Sequence, residues 1–433
     1  MLNQPDGPDQ LSTTNWRRNF WILWTAEVVA IVGFQVIQPF LPYYVQELGV
    51  EGLDQAVLWA GRMGTAAGLA MAVSSPIWGA LADRLGRKPM VVRAMLGGGL
   101  TVIIMAYVTS VEQLLVARFL QGALAGTVTA CITMVSTTTP RAHLGFALGM
   151  MTGAFMFGAA VGPIIGGPLI AEFGYRACFV VSGVLVLTAG VAVQLFVREQ
   201  FQRAAVQEDE AGEGFVREAL ALLRNAPFRL VLVASTLIQF VFGFIMPVIP
   251  LFLQSLAGTD DIESLAGPIF GAWMLVGAIS SVVIGRYSDR IGVRRTLQGG
   301  LVAAALFYLA EGFAPNVTVL ATLLILGGLA SGAIRPVTNT LIARIVPEQD
   351  RGKAFGVVSS ASALGWALGP LAGGYLAAGL GFRAVFYITG MLLLSVAAWV
   401  WLSLGSLDEN LADSSEQRVR TLLRRAFRRR RMP

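Results

Sequence analysis

Long apolar stretches, separated by short polar connections, recur along the whole of this 433-residue sequence. A helix rises 1.5 Å per residue, so about 20 apolar residues are enough to cross the hydrocarbon layer of a membrane. The pattern predicts an all-α membrane protein with twelve transmembrane helices. Their approximate limits are residues 19–45, 56–82, 89–109, 111–138, 144–171, 176–197, 228–254, 265–286, 296–314, 316–343, 353–379 and 382–405.

The composition agrees with a polytopic membrane protein. Hydrophobic residues make up 55% of the chain and charged residues only 13%, whereas a soluble protein is about one quarter charged. Forty-nine glycines allow helices to approach closely in lipid, where no hydrophobic force drives them together. The first twenty residues are polar and lack the short apolar core of a signal peptide, so the first stretch is expected to remain as a helix.

Basic residues are concentrated in alternate connections. The connections at residues 46–55 and 257–264 contain acids but no Lys or Arg. Positive residues mark the cytoplasmic side, so both termini are expected in the cytoplasm and the protein in a bacterial inner membrane. The net charge of +6, with eight arginines between Arg418 and Arg431, indicates anionic membrane lipid as a partner rather than nucleic acid.

The two halves of the sequence repeat each other. The segment 39–42 (PFLP) returns 208 residues later as 247–250 (PVIP), and Gly162-Pro163 returns 207 residues later as Gly369-Pro370. The offset spans six helices, an even number, so the copies should share one orientation and form two pseudo-symmetric six-helix bundles. The predicted organisation is an N-terminal tail (1–18), a first bundle (19–198), a linker (199–227), a second bundle (228–405) and a basic tail (406–433).

Residues 79–88 (GALADRLGRK) join the second and third helices, and they recur 206 residues later as 285–294 (GRYSDRIGVR). This motif resembles the loop between the second and third helices of the major facilitator superfamily. The resemblance implies the major facilitator fold and a charge-relay latch at the cytoplasmic face. The residues predicted to form this cytoplasmic gate are Gly79, Asp83, Arg84, Gly86, Arg87, Asp289 and Arg290.

Two further helices resemble the same superfamily. The fifth carries a pattern similar to the antiporter signature of its exporters, and glycines four apart make a flat face for close helix packing. Its residues are Gly158, Gly162, Pro163, Gly166 and Gly167. The fourth helix contains Arg118, followed three residues later by Gln121 and Gly122, and Gln121 is predicted to line the substrate cavity. A guanidinium at that depth should face a partner or a wet cavity, so Arg118 is a candidate for proton coupling. The alternative is a structural hydrogen-bond clamp.

Glu27 is the strongest candidate for a proton carrier. It lies roughly 12 Å into the first helix, and a carboxylate at such depth can take a proton from one side and release it to the other. Helical spacing aligns it with a mixed polar and aromatic face predicted to line the substrate cavity: Ile31, Phe34, Gln35 and Gln38. The alternative is a carboxylate neutralised locally by Arg17, Arg18 or Arg118.

In the second half, symmetry with the first helix makes Gln239, Phe240 and Phe244 candidate cavity residues, and lipid-facing aromatics are the alternative. Arg335 is either a substrate or proton-relay contact or a structural ion. Glu311, near the outer end of the ninth helix, is expected at the membrane interface.

The chain offers little for other chemistry. It contains no P-loop motif, and its one histidine and two cysteines cannot form a Cys/His metal cluster. No enzyme activity, cofactor or metal is predicted, so an ion gradient should supply the energy. The resemblance implies a monomeric, proton-coupled exporter of small amphiphilic drugs that works by alternating access. The alternatives are a lipid or glycolipid flippase and a proton-coupled importer of a small metabolite.

Overall fold

The computed structural model describes residues 16–124, 126–199, 222–258, 262–332, 334–346 and 350–403. The predicted basic tail lies outside the described residues. So do positions 1–15 of the predicted N-terminal tail and positions 200–221 of the predicted linker.

Twelve helical spans can be followed in the described part of the chain. Ten stretches are long and apolar enough to cross a membrane, and one of them contains two helices because Gly174 interrupts it with φ 75° and ψ 170°. The ninth span has a membrane length of 20 residues but is less apolar. We number the spans 1 to 12: Trp16–Glu47, Leu53–Leu85, Arg87–Met105, Val111–Thr138, the two parts of Leu144–Phe196 before and after Gly174, Ala226–Ala257, Ile262–Ile291, Val293–Gly312, Val317–Gly332 with Ile334–Ile345, Arg351–Leu380 and Phe382–Ser403.

The two ends of the helical bundle differ in charge. We call the end with the connections at residues 48–52, 106–110, 174 and 381 the acidic end. The opposite end, with the connections at residues 86, 139–143 and 292, is called the basic end.

Spans 1, 4 and 7 are each interrupted within the membrane-length stretch. Span 1 changes to a 3-10 turn at Gln38–Phe40, and span 7 is interrupted between Ile245 and Val248. Prolines in both segments remove backbone donors and prevent a continuous helix. Span 4 is interrupted at Gly126, which has a φ of 113°. Interrupted helices leave backbone groups unpaired, which membrane proteins tolerate only where the segment is covered by protein or lines a cavity.

Within each half, a stripe of glycines brings two spans into backbone contact. Gly158, Gly162 and Gly166 of span 5 lie against span 1, where a Cβ on Gly158 would be 2.7 Å from Ile31 Cγ2. The second half repeats the contact 207 residues later, with span 11 lying against span 7 through Gly365, Gly369 and Gly373. The duplication seen in the sequence is therefore a duplication of helix packing.

We predict that Gly166→Ala destabilises the fold, because the added Cβ would overlap the carbonyl oxygen of Val36 and lie 2.9 Å from Phe40 Cε2. Overpacking of this kind costs about 1–3 kcal/mol. Gly153→Ala in the same helix is the matched control, since no atom lies within 4 Å of its added Cβ. It should leave stability unchanged or raise it by up to ~1 kcal/mol. Thermal unfolding of the purified variants would measure both changes in stability. Equal unfolding temperatures for the two variants would contradict the proposed packing.

Candidate functional site

The two halves meet at the acidic end through the repeated proline segments. The hydroxyl of Tyr43 donates to the carbonyl of Pro250 at 2.7 Å. Gln46 and Gln254, which are 208 residues apart in the sequence, exchange hydrogen bonds through their side-chain amides at 2.8 and 3.2 Å. Corresponding residues of the two repeats thus bind each other near the pseudo-twofold axis.

Two pairs of spans complete this contact, which we call the acidic-end seam. A Cβ on Gly267 of span 8 would lie 2.5 Å from the carbonyl oxygen of Pro163 in span 5. The repeat of this contact joins spans 2 and 11, where a Cβ on Gly61 would lie 2.5 Å from the carbonyl oxygen of Pro370. The fifth-helix motif therefore has two faces: its three spaced glycines pack within the first half, whereas Pro163 and Gly167 contact the second half.

The halves separate toward the basic end. Val73 of span 2 and Val282 of span 8 are 71% and 68% exposed. No atom of the described residues lies within 4 Å of a Cβ placed on Gly79, and the described neighbour of Gly285 is Pro336 of its own half, at 3.7 Å. The molecule is therefore closed at the acidic end and open at the basic end.

The predicted cytoplasmic gate lies at this open end. Asp83 and Arg84 are exposed, Gly86 has a φ of 99°, and Arg87 begins span 3. In the second copy, the Asp289 side chain lies outside the described residues, and the Arg290 guanidinium is 5.8 Å from the ring of Tyr287. In this conformation the glycines of the two motif copies, Gly79 and Gly285, do not touch the opposite half.

Glu199 ties the first motif copy to the end of span 6. The backbone N–H groups of Arg87 and Lys88 donate to its two carboxylate oxygens, each at 2.8 Å. A carboxylate at a helix N-terminus satisfies free donors and opposes the positive end of the helix dipole. Sequence reasoning assigned Glu199 to the linker and missed this role, because the residue is more than 100 positions from the helix that it caps.

A cavity of about 340 Å³ lies between the acidic-end seam and the open end, and both halves line it. Its apolar lining includes Ile31, Phe34, Met71, Met246, Phe270, Met274 and Trp366. The amide, hydroxyl and charged side chains in the lining all belong to the first half: Gln35, Gln38, Arg118, Gln121 and Thr127. Among the described residues that line the cavity, Arg118 carries the one charge, and no carboxylate is present.

Arg118 lies at the junction of spans 1 and 4. Its Nη1 donates to Gln38 Oε1 at 3.2 Å and to Gln121 Oε1 at 2.5 Å. The residue is 7% exposed, and its Nε has no hydrogen-bond partner within the described part of the chain. Five of the residues predicted to line the cavity or to couple protons there, Phe34, Gln35, Gln38, Gln121 and Arg118, are thus brought together.

Glu27 does not line the cavity. Its side chain is fully buried within the first half, where the thiol of Cys131 lies beside it. Neither carboxylate oxygen accepts a hydrogen bond from an N–H or O–H group in the residues that the structure describes. The stripe does reach the cavity one turn further along, because Ile31 both packs against Gly158 and belongs to the lining. At Glu27 the helix is covered by span 4, where Cys131 lies.

The candidates from the second half do not line the cavity either. Phe244 is buried against Gly369 and Gly373 of span 11. Gln239 and Phe240 are half-buried on the same span. Arg335 is exposed on span 10. The lining from this half comes instead from the interruption of span 7, from span 8 and from span 11, including Met246, Phe270, Met274 and Trp366.

Glu311 was expected at the membrane interface, and this expectation is wrong. The side chain is 1% exposed. It lies between spans 9 and 10, where Gly327 leaves room for its carboxylate, and Tyr387 of span 12 covers the neighbouring Gly312.

Comparison with known proteins agrees with this architecture. The sequence model of the family described as Major Facilitator Superfamily matches residues 23–310 and 263–432. The chain belongs to the major facilitator superfamily, and it is a multi-pass membrane transporter with the fold of that family. The resemblance drawn from the sequence motifs is thereby confirmed.

The chain is also similar to individual members of the superfamily. It is 34% identical to Multidrug resistance protein MdtG of Enterobacter lignolyticus over 90% of this chain and 93% of the relative. It is likewise 34% identical to MdtG of Citrobacter koseri, over 92% and 98%.

Among solved structures, it resembles a bacterial homologue of the lysosomal transporter Spinster, described as inward-facing and unoccupied. The TM-score is 0.75 at 17% identity, over 90% of this chain and 97% of that one. The nucleoside transporter NupG gives a TM-score of 0.74 at 15% identity, over 89% and 98%.

We predict that Gly61→Ala opens the acidic-end seam, because the new methyl group would collide with the Pro370 carbonyl. A collision worth about 1–3 kcal/mol in the closed form shifts the closed-to-open ratio by roughly 5- to 150-fold. Gly79→Ala in the same span is the control, since it meets no atom within 4 Å.

Spin labels at Glu51→Cys and Gly258→Cys, in a chain with alanine at Cys131 and Cys178, would report the separation of the two halves. Gly61→Ala should enlarge the population with long distances, and Gly79→Ala should not. Identical distance distributions in both variants would contradict this account of the seam.

Proposed function

We propose that this protein is a proton-coupled secondary active exporter of small amphiphilic compounds, including drugs. The observation that carries the proposal is the apolar cavity between two duplicated halves, closed at one end and open at the other. Cavities of this size, lined by aromatic and aliphatic side chains with a few polar groups, bind small amphiphilic molecules. The name of the MdtG relatives, multidrug resistance protein, supports the same substrate class.

The distribution of charge supports an orientation in a bacterial inner membrane. The basic end carries Arg84, Arg87 and Lys88, and by the positive-inside rule it faces the cytoplasm together with both termini. The described conformation is then inward-facing, with a cavity that loads from the cytoplasm. A single chain suffices for this cycle, because both halves of the cavity come from one molecule.

Transport follows from rocking of the two halves about the cavity. Opening to the outside requires the acidic-end seam to separate, which breaks the Tyr43–Pro250 and Gln46–Gln254 hydrogen bonds. At the same time the basic end closes and brings the Asp83 and Arg84 segment against the opposite half. The seam contacts of Gly61 and Gly267 are with backbone atoms and not with interlocking side chains, so these contacts can separate and reform without repacking.

Proton coupling is assigned to Glu27 with Arg118 as its partner in the first half. Glu27 lies one helical turn from Ile31, which lines the cavity, and beside Cys131 of the second segment of span 4. Arg118 links span 4 to span 1 through Gln38. A shift of that span 4 segment would give the carboxylate access to the cavity. Each proton that enters across 100 mV supplies ~2.3 kcal/mol.

Two assays test the function, each with and without an uncoupler. The first measures drug resistance and drug efflux in whole cells, and the second measures drug accumulation in everted membrane vesicles. An exporter should confer resistance that the uncoupler abolishes, and vesicles should accumulate the drug when a proton gradient is imposed. Substrate-dependent uptake into whole cells with alkalinisation of the medium would instead indicate an importer. Lipid translocation without drug transport would indicate a flippase.

We predict that Glu27→Gln abolishes proton-driven drug accumulation in everted vesicles while the protein remains in the membrane, because the amide cannot release a proton. Glu311→Gln is the control, since it removes a second buried carboxylate that lies away from the cavity, and it should retain accumulation. Unchanged transport in the Glu27 variant would remove this residue from the coupling mechanism.

We predict that Asp83→Asn slows turnover with little change in drug affinity, because Asp83 is exposed at the open end and remote from the cavity. Its charge would matter only when the basic end closes. Transport rates over a range of drug concentrations would separate the two effects, and Asp54→Asn at the acidic end serves as a control. A normal maximal rate in Asp83→Asn would count against a latch.

A further inference from the structure

The interruption of span 4 directs a helix N-terminus at the central cavity. The second segment, Thr127–Thr138, begins after Gly126, and no side chain in the described part of the protein caps its first turn. Gly126, Thr127 and Val128 all belong to the cavity lining. The first N–H groups of a helix have no partner within the helix, and the helix dipole gives this end a partial positive charge. Such an end attracts anions.

Arg118 provides a second and independent positive group in the same cavity. It is 93% buried, since only 7% of its surface is exposed, and two glutamine oxygens hold its Nη1. Its Nε–H is left without a partner among the described residues. Gln121, which accepts from this guanidinium, and Thr127, which begins the second segment, lie on either side of the interruption and line the same cavity. Both positive groups therefore face one space.

No negative group opposes these donors in the lining. A carboxylate is the strongest partner for a cationic drug, and the described lining contains no Asp or Glu. Glu27 lies outside the cavity lining and is fully buried in the first half. A cation entering this cavity would meet Arg118 and the helix N-terminus and be repelled, whereas an oxyanion would satisfy donors that are otherwise unpaired.

We infer that the cavity contains an oxyanion subsite formed by Arg118 and the N-terminus of the Thr127–Thr138 helix, and that its substrates are amphiphiles with a carboxylate or phosphate group. The apolar body of such a molecule would rest on the second half, against Met246, Phe270, Met274 and Trp366. This inference rests on the proposed transport function and names the substrate class for the same cavity.

The test compares ligands that share one apolar body and differ in charge. The purified full-length chain in an uncharged maltoside detergent would be titrated calorimetrically with the 1-naphthaleneacetate anion, 1-naphthaleneacetamide, 2-(1-naphthyl)ethylammonium and 1-naphthyl phosphate. We expect at least one of the two anions to bind on the order of ten-fold more tightly than the neutral amide, and the ammonium to bind most weakly. The two anions distinguish carboxylate from phosphate recognition.

Substitutions at Arg118 and Val128 test whether the preference for anions comes from the guanidinium and from the helix N-terminus. Arg118→Gln should weaken the preferred anion by roughly ten-fold and leave the amide within about two-fold. Arg118→Lys, which keeps the charge, should recover part of the loss. Val128→Glu places a carboxylate at the helix N-terminus and should weaken anions while strengthening the ammonium. Arg62→Gln is the control, because Arg62 stacks on Trp59 at 4.9 Å outside the lining.

The outcomes separate this inference from the proposed function. Equal affinity for all four ligands, a preference for the ammonium, or an equal loss for every ligand in Arg118→Gln would overturn the subsite. If Arg118→Gln fails to fold, Val128→Glu and Arg118→Lys decide the question. Selective anion binding without any proton-driven transport would instead overturn the proposed function and leave the subsite intact.

Discussion

Direct contact between helix backbones is the interaction on which this structure depends. In lipid no hydrophobic force draws helices together, so spans must gain from close packing and from the contacts that small residues permit. In this protein, glycine-mediated contact between helix backbones occurs in two places. Gly158, Gly162 and Gly166 hold spans 5 and 1 together within one half, and Gly167 and Gly267 bring spans 5 and 8 together between the halves. The first contact holds two helices of one bundle together, and the second joins the two bundles at the acidic end.

These two kinds of contact differ in what surrounds them. Within the first half, the helices packed this way enclose a continuous core that includes Leu23, Met95 and Met134. At the acidic-end seam, buried residues of both halves belong to one hydrophobic cluster, which includes Phe40, Tyr43 and Val248, and the helices diverge from there toward the basic end. The same packing rule therefore serves both a core within one half and a contact between the halves.

The sequence was sufficient for the architecture and only partly sufficient for the site. Apolar length and the recurring motifs predicted the twelve spans, although span 2 extends over Leu53–Leu85 rather than 56–82. Gln35, Gln38 and Gln121 were found because polar side chains stand out on otherwise apolar helices. Phe240 and Phe244 were predicted to line the cavity and lie outside its lining, since span 7 is apolar on nearly every side and gives no indication of which face turns inward.

Glu27 shows a further limit of sequence reasoning. The face that Glu27 shares with Gln35 and Gln38 follows from helical spacing, but the point along that face where the cavity ends depends on which neighbours cover it. Cys131 lies beside Glu27, and the two positions are more than 100 residues apart in the sequence. Glu199 was missed for the same reason, because its partners at the start of span 3 are remote in the sequence.

The chemical division of the cavity has a consequence for the order of events in a cycle. The first half supplies every amide and the guanidinium together with apolar surface, whereas the described lining from the second half is sulfur, aromatic and proline surface. The polar end of a bound amphiphile can therefore contact these groups only in the first half, while an apolar end that reaches the opposite wall contacts the second. If the halves rotate against each other as proposed, the distance between the two walls changes, and a molecule long enough to span them is held at both ends in only one arrangement. In the proposed cycle, substrate length would then matter as well as substrate charge.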